Sequence, residues 1–202
     1  RPTRNHKTVR VHFWGTRGSL PIAMDANDVR AKVKAAVELA QGKVLTDGFE
    51  LENFVESLPF AVRGTYGGHS SCVEIDVGSP TTFICDLGSG IRPLGQKLVE
   101  SGSASGNTFN IFVSHVHWDH ICGFPFFVPA YIPGNIVRIH GCHAELEAAF
   151  RRQQDAPSFP VRLDVMAADI EFVTLETDRW YDIDGVSVKA SLQHHSGDSY
   201  GY

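Results

Sequence analysis

The stretch Ser114-His115-Val116-His117-Trp118-Asp119-His120 sets three imidazoles and a carboxylate within a few residues of each other, directly after an apolar run, Asn110 to Val113, that reads as a strand. Imidazole and carboxylate together suit first-row divalent metals such as zinc, manganese or iron. In an extended segment, residues two apart point the same way, so His115 and His117 can converge on one ion. Asp119 and His120 follow as the chain turns and can face a second ion beside the first. Two ions roughly 3.5–4 Å apart can hold one hydroxide between them and clamp an in-line displacement. A surface histidine cluster is the competing reading, and the strand-then-loop context argues against it.

Other residues could complete such a centre. Gln193-His194-His195-Ser196-Gly197-Asp198 follows a strand-like run, where a third ligand for the first ion could come from. Catalytic zinc sites keep a coordination position open, and His115, His117 and His195 would leave one. Asp86 ends a strand just before the glycine loop Gly88-Ser89-Gly90. A carboxylate there can accept a hydrogen bond from a metal-bound histidine and fix its tautomer, although an Asx-turn would also explain it. Arg17 lies in the glycine-punctuated turn Gly15 to Pro21, and its guanidinium suits phosphate or carboxylate. His69, in the second glycine-rich turn Gly64 to Ser71, is the other candidate substrate contact. His140 and His143 are weaker ligand candidates, because a histidine near a strand end is more often simply a satisfied polar residue.

The elements that must position these groups are legible from periodicity. Thr8 to Trp14, Cys72 to Val77, Thr82 to Cys85, Ile136 to His140 and Ile170 to Leu175 read as strands. Gly78-Ser79-Pro80 and Asp184-Gly185 read as hairpin turns, the latter joining Trp180–Ile183 to Val186–Leu192. Asp25 to Gln41 reads as a helix with Val29, Val33, Ala36, Val37 and Ala40 on one apolar stripe, capped by Asp25 or Asn27 and stopped at Gly42. Phe49 to Leu58, Ile91 to Ser101 and Ala144 to Arg152 are further helices. Residues 25–63 thus form a helical insertion, either packed on a sheet or serving as a lid or homodimer element. Phe124, Phe126 and Phe127 either wall an apolar pocket or belong to the core. Arg1 to Lys7 is polar and expected to fray. Strands outnumber helices and most connections are short, so a layered α/β or α+β domain is indicated.

Composition narrows the classes. With 202 residues, 43% hydrophobic and 20% charged, the chain suits one ordinary globular domain. A net charge of −5 without a basic tract argues against an extended nucleic-acid surface. A small phosphodiester at a metal site remains compatible, since the ions supply the positive charge. Cys72, Cys85, Cys122 and Cys142 are scattered without a Cys-x-x-Cys pair, which favours reduced thiols and a cytoplasmic setting. No apolar run approaches the ~20 residues of a membrane span, and no signal peptide is visible. The chain starts at Arg1 rather than at a methionine, so the original N-terminus is expected to be missing.

The run His115 to His120 resembles the His-x-His-x-Asp-His signature of the metallo-β-lactamase superfamily. The likeness extends to Phe13-Trp14-Gly15-Thr16-Arg17-Gly18-Ser19, Tyr66-Gly67-Gly68, Cys72-Val73-Glu74, Asp86 to Gly90, the run His117 to Gly134 and the end, His195 to Tyr202. These motifs are similar to the branch containing the tRNA 3′-processing endonuclease and the cyclic-nucleotide phosphodiesterases. Proline is commoner there than Ser196.

The resemblance implies a four-layer αββα sandwich with two divalent ions, zinc first and manganese or iron next, at one edge between the sheets. His115, His117 and His195 would hold the first ion, Asp119 and His120 the second, with Asp86 behind them. His195 matches better than His194 because it keeps the spacing to Gly201-Tyr202. Residues 25–63 are longer than the usual connection at this place. The family also supplies a bridging aspartate and a last histidine beyond the equivalent of Tyr202, so the chain is expected to be a fragment, with the sandwich incomplete at its C-terminal end.

The expected activity is that of a metal-dependent hydrolase, a phosphodiesterase using a metal-bound hydroxide that Asp119 orients or deprotonates. Hydrolysis of another ester, a thioester, a lactone or a β-lactam is the alternative on the same fold. A non-catalytic metal-binding sensor or interaction module is the alternative from another class.

Overall fold

The computed structural model describes residues 8–202, so the expectation of a frayed Arg1–Lys7 lies outside the described residues. The chain divides into two compact units, residues 22–68 and the remainder, 1–21 with 69–202.

Residues 22–68 contain α1 (Ala26–Ala40), α2 (Gly48–Ser57) and the short α3 (Phe60–Arg63). Helix α1 starts where the sequence places its cap. The Asp25 carboxylate accepts from the Asn27 and Asp28 amides, and Asp28 returns a bond to the Asp25 amide in a capping box. Asp47 caps α2 through the Glu50 amide. The apolar stripe of α1 is not buried, however. Val29, Val33 and Val37 are 51%, 58% and 61% exposed. The face of α1 turned inward within this unit carries Lys32, whose Nζ donates to the Ala61 and Gly64 carbonyls at 2.5 and 2.6 Å. Leu58 is the single buried apolar residue of this unit.

The larger unit is built on a six-stranded sheet in the order β1 (Arg10–Gly15), β2 (Cys72–Asp76), β3 (Thr82–Cys85), β4 (Thr108–Phe112), β5 (Ile136–Gly141), β6 (Asp169–Thr174). The first three strands pair antiparallel, with β2 and β3 joined by the hairpin expected at Gly78–Pro80. From β3 to β6 the pairing is parallel, and helical crossovers make the connections. Helix α4 (Ile91–Glu100) joins β3 to β4. The short α5 (Trp118–Ile121) and two 3₁₀ turns join β4 to β5, and α6 (Leu146–Gln153) lies between β5 and β6.

Central strands buried on both faces read as continuous apolar runs. In β4, Phe109 and Ile111 are fully buried against Val137 and Ile139 of β5, Leu94 of α4 and Phe150 of α6. Phe124 and Phe127 join this core while Phe126 is 52% exposed, so the apolar segment after the metal-type motif is partly core and partly surface.

On the other face of the sheet, Phe83, Phe112 and Leu175 pack against the hairpin of β7 (Trp180–Ile183) and β8 (Val186–Lys189). The expected strand Val186–Leu192 is in fact two. Its second half is β9 (Ser191–Gln193), which pairs with β10 (Ser199–Gly201) instead of with β7. Among the described residues, this unit therefore supplies a helical layer, the main sheet and two small antiparallel pairs, a mixed α/β architecture. All four cysteines are free thiols. Among the described residues, no helix is long and apolar enough to cross a membrane.

Candidate metal centre

The candidate residues gather at the carboxyl ends of β3 and β4, where ligands of parallel α/β sheets characteristically sit. After β4 the chain leaves the sheet at Val113, and His115 to His120 form the turn into α5. Val113 donates to the His140 carbonyl and His120 to the His117 carbonyl, which fixes this turn against β5 and on itself.

His195 reaches the same place from the other end of the chain. It lies in the turn between β9 and β10, and that hairpin is moored directly to the metal-type loop. The Tyr200 amide donates to the Ser114 carbonyl at 2.8 Å, and the Tyr202 hydroxyl donates to the Val113 carbonyl at 2.9 Å. His143 Nε2 donates to the Asp198 carbonyl at 2.7 Å.

The result is a three-histidine cluster. One ring nitrogen from each of His115, His117 and His195 lies within 4.8 Å of the others. The His195 ring stands 4.7 Å from that of His115 and 5.7 Å from that of His117, centroid to centroid. His194 lines the adjoining cavity but is not in the cluster.

The donor set fits a divalent cation. Burial, followed by the neighbouring His120 and His117, depresses the His115 imidazole to about 4, so it is neutral with a lone pair available at neutral pH. Three imidazoles brought this close, with no carboxylate among them, are a donor set of the kind that suits a divalent cation.

Asp119 and His120 form a second pair beside the cluster. Asp119 Oδ2 lies 3.4 Å from His120 Nε2, and the rings of His115 and His120 are 4.0 Å apart. Burial alone would lower the His120 pKa. The hydrogen bond and charge of Asp86, with Asp119 behind them, outweigh it and raise the group. His120 thus bridges two carboxylates, and a cation bound by Nε2 and Asp119 would displace its proton.

Asp86 organises this side. Its carboxylate accepts from His120 Nδ1 at 2.7 Å, from the Ser71 hydroxyl at 3.0 Å, and from the Ser114 amide and hydroxyl at 2.8 and 2.9 Å. With Nδ1 donating, the Nε2 of a neutral His120 carries the free lone pair. Asp86 sits at φ 62°, in the left-handed region that Asp tolerates better than most residues. Gly88, two residues on, allows the close approach of the two loops. A Cβ there would run into the Asp119 carbonyl and Ser70 Oγ.

The two candidate substrate contacts stand differently. The Arg17 amide donates to the His69 carbonyl at 3.0 Å, which sets the Arg17 loop alongside Ser70. His69 Nδ1 pairs with the Ser89 hydroxyl at 3.1 Å. The loop that carries Arg17 meets the centre through the backbone of Ser19, whose amide donates to Asp119 Oδ2 at 2.7 Å. Neither Ser19 nor the serines on Asp86 stand out in the sequence. The one available signal was the position of Ser114, directly before the histidine run. His140, a weak ligand candidate, lies apart from the cluster, with Nε2 on Asn110 Oδ1 at 2.9 Å.

Asp86, His115, His120 and His195 line a cavity of about 570 Å³. Beside it lies an apolar cavity of about 560 Å³, walled by Ile75, Phe83, Trp180 and Leu192, with Phe112 and Tyr202 in the walls of both.

Comparison with known proteins gives partial likenesses. No protein-family profile matches the chain. Its sequence is 24% identical over 152 residues to ribonuclease Z of Staphylococcus aureus strain MSSA476, covering 72% of this chain and 45% of that protein. Ribonuclease Z of strain JH9 gives the same identity and coverage. The chain therefore spans about half the length of the curated relatives it matches. Among solved structures, the metallo-β-lactamase fold protein YhfI from Bacillus subtilis aligns with a TM-score of 0.46 at 16% identity, over 67% of this chain and 50% of that one.

Proposed function

We propose that this chain carries the metal centre of a metal-dependent hydrolase that cleaves phosphodiesters. The observation that carries the reading is the convergence of His115, His117 and His195, whose ring nitrogens lie within 4.8 Å of one another although His195 is far off in sequence. These three would hold one divalent ion, zinc first, with manganese or iron as alternatives, and Asp119 with His120 would hold a second. Bound there, such ions would supply Lewis acidity and lower the pKa of a coordinated water towards about 7.

The protein's own groups do the rest. Asp86 holds His120 with Nε2 facing Asp119. The Ser19 amide fixes the Asp119 carboxylate, leaving Oδ1 to orient a water or take its proton. Arg17 and His69, on the neighbouring loops, are the candidates for binding the phosphoryl oxygens. The similarity to ribonuclease Z, a relative matched over part of its length, supports phosphodiesters over other esters.

A second reading is favoured by one specific feature. The apolar cavity that shares Phe112 and Tyr202 with the metal-side cavity would suit the hydrocarbon part of a carboxylic ester, thioester or lactone.

The test is release of nitrophenol from bis-(4-nitrophenyl) phosphate by the full chain with added Zn²⁺ or Mn²⁺, beside a panel of acyl esters, thioesters and lactones. The proposal expects metal-dependent phosphodiester cleavage that Asp119→Ala reduces by two orders of magnitude or more. Faster turnover of the acyl substrates would shift the assignment to them, and turnover insensitive to Asp119→Ala would remove the mechanism.

A further inference from the structure

The cavity at the histidine cluster and its apolar neighbour share a wall. Cys85, Phe112, Gln193, Gly201 and Tyr202 face both the metal-side space of about 570 Å³ and the apolar space of about 560 Å³. Tyr202 is fixed at this junction. Its hydroxyl donates to the Val113 carbonyl at 2.9 Å, and its ring lies 5.2 Å from that of Phe112. Val113 leads from β4 into the histidine loop, so the junction and the cluster are built on the same strand end. Gln193 stands there too. Its Oε1 accepts from the Ser199 hydroxyl at 3.2 Å, which leaves Nε2 as a donor between the two spaces.

The second space is apolar along its depth. Ile75 and Phe83 form one side, and Val186 and Val188 of the β7–β8 hairpin form the other. The Phe83 ring lies parallel to Phe112 at 4°, centroids 6.4 Å apart. Burial pushes the Cys85 thiol up to about 12, so it presents a neutral surface. Among the described residues the one charged side chain on these walls is Lys189, whose ammonium sits 5.4 Å from the centroid of the Trp180 ring. Leu192 marks the outer end, 65% exposed on β9. The volume is far beyond the packing voids of a folded core and within the range that holds small ligands.

The two spaces thus suit the two halves of one amphiphilic molecule. Imidazoles and carboxylates suit a cation-bound phosphoryl group, and the adjoining walls suit hydrocarbon. A net charge of −5 without a basic tract argues against a polynucleotide as the rest of that molecule.

We propose that the apolar space is the subsite for a hydrocarbon arm, so that the phosphodiester substrate is lipid-like, with its phosphorus at the histidine cluster and one ester chain running past Phe112 and Tyr202. This inference rests on the phosphodiesterase reading and narrows it. Gln193 Nε2 lies where it can donate to an ester oxygen between the two halves.

The test is calorimetric titration of the full chain with ethyl, butyl, hexyl and octyl phosphate, below their micelle concentrations and both with and without Zn²⁺. Burying one methylene strengthens binding up to about fourfold, so hexyl phosphate is expected to bind at least about tenfold tighter than ethyl phosphate. Leu192→Asn, at an exposed position, should cut that preference about threefold, as should the isosteric Val188→Thr. Equal affinities along the series, or a preference untouched by both substitutions, would overturn the subsite. The 4-nitrophenyl diesters of the same alkyl phosphates report on the chemistry separately. There water adds to phosphorus, the P–O bond to nitrophenol breaks, and nitrophenolate, alkyl phosphate and a proton are released. Their kcat/KM should climb with chain length in parallel with affinity. Turnover indifferent to chain length overturns the subsite and leaves the hydrolase reading standing. Chain-length-dependent binding without turnover of any diester supports the apolar subsite and removes the hydrolase reading.

Discussion

The backbone amide of Ser19 donates a 2.7 Å hydrogen bond to Oδ2 of Asp119, one hundred residues further along the chain. Asp119 is buried, and a hydrogen bond to an ionised buried carboxylate is worth about 1.5–3 kcal/mol. The amide points there because Ser19 adopts φ 59°, a left-handed conformation. That conformation costs an L-residue about 1–2 kcal/mol, more when the side chain is β-branched. Ser19→Gly keeps the donor and removes the cost, so it should retain metal affinity and hydrolysis. Ser19→Val should move the amide and lower metal-dependent turnover of a phosphodiester about tenfold. Equal rates for the Gly and Val proteins would show that the amide does not hold Asp119 in its working position.

Asp86 gathers four donors on one carboxylate, from His120, Ser71 and two atoms of Ser114. Removing such an outer partner of a metal-ligating histidine lowers metal affinity about 10–100-fold. Asp86→Asn fits the same space and tolerates the left-handed backbone, so it should fold with a melting temperature close to that of the parent and bind Zn²⁺ or Mn²⁺ that much more weakly. Asp86→Ala leaves the Ser114 amide without its acceptor and should cost about 2 kcal/mol of stability in addition. Isothermal titration with the metal, paired with thermal denaturation, separates the two effects. Undiminished metal affinity in the Asn protein would mean that the tautomer of His120 does not need this carboxylate.

How far the sequence discloses this arrangement depends on the range of the interaction. The strands β1 to β6 and the capped helix α1 follow from local periodicity, and their bounds agree with the structure to within a residue or two. The histidine run declares its chemistry by spacing alone, since residues 115 and 117 must share a side of an extended segment. Ser19 does not, because a positive φ in a serine leaves no mark in the sequence, and its partner is remote. The valine stripe of α1 shows the opposite limit. Helical period says that Val29, Val33 and Val37 share a face but not whether anything covers it. Within residues 22–68 the inward side is taken by Lys32, whose reach to the α3 carbonyls no periodicity reveals. The split of Val186–Leu192 into β8 and β9 escapes for a similar reason, because the change of partner from β7 to β10 is a tertiary choice.

His140 makes the stability depend on pH in a definite direction. Asn110 Nδ2 donates to Asp184 at 2.8 Å, which turns the Asn110 carbonyl oxygen towards His140, so His140 Nε2 must be the donor in their 2.9 Å bond. Nδ1 is buried without a partner. Burial, with the Arg138 guanidinium next in weight, depresses the imidazole from 6.5 to about 4. The unfolded chain therefore takes up a proton as the pH falls through about 6.5, while the folded protein resists until about 4. Stability is complete above pH 6.5, declines between 6.5 and 4 by up to about 3 kcal/mol, and is flat with respect to this group below that. His140→Gln, which retains a donor for Asn110, should be less stable than the parent at pH 7.5 but lose less on going to pH 4.5. Urea midpoints at the two pH values measure this, and parallel losses in both proteins would place the His140 pKa at its ordinary value.

Lys32 ties α1 to α3 within the small helical unit. Residues 22–68 bury a single apolar side chain, Leu58, so little hydrophobic free energy is available to fix α3 against α1. The Lys32 ammonium takes over part of that role by donating to the Ala61 and Gly64 carbonyls, the last of which C-caps the four-residue α3. A cation on terminal helix carbonyls combines a charge-assisted hydrogen bond with the favourable end of the helix dipole. Lys32→Met keeps much of the aliphatic stem and deletes both bonds, at a cost of about 1–2 kcal/mol to the local unit. Amide exchange through residues 60–64 should then accelerate about tenfold, as read by deuterium uptake in peptides covering α3. Exchange unchanged by Lys32→Met would mean that the ring contact of Phe60 with Tyr66, centroids 4.8 Å apart, is sufficient to hold α3 by itself.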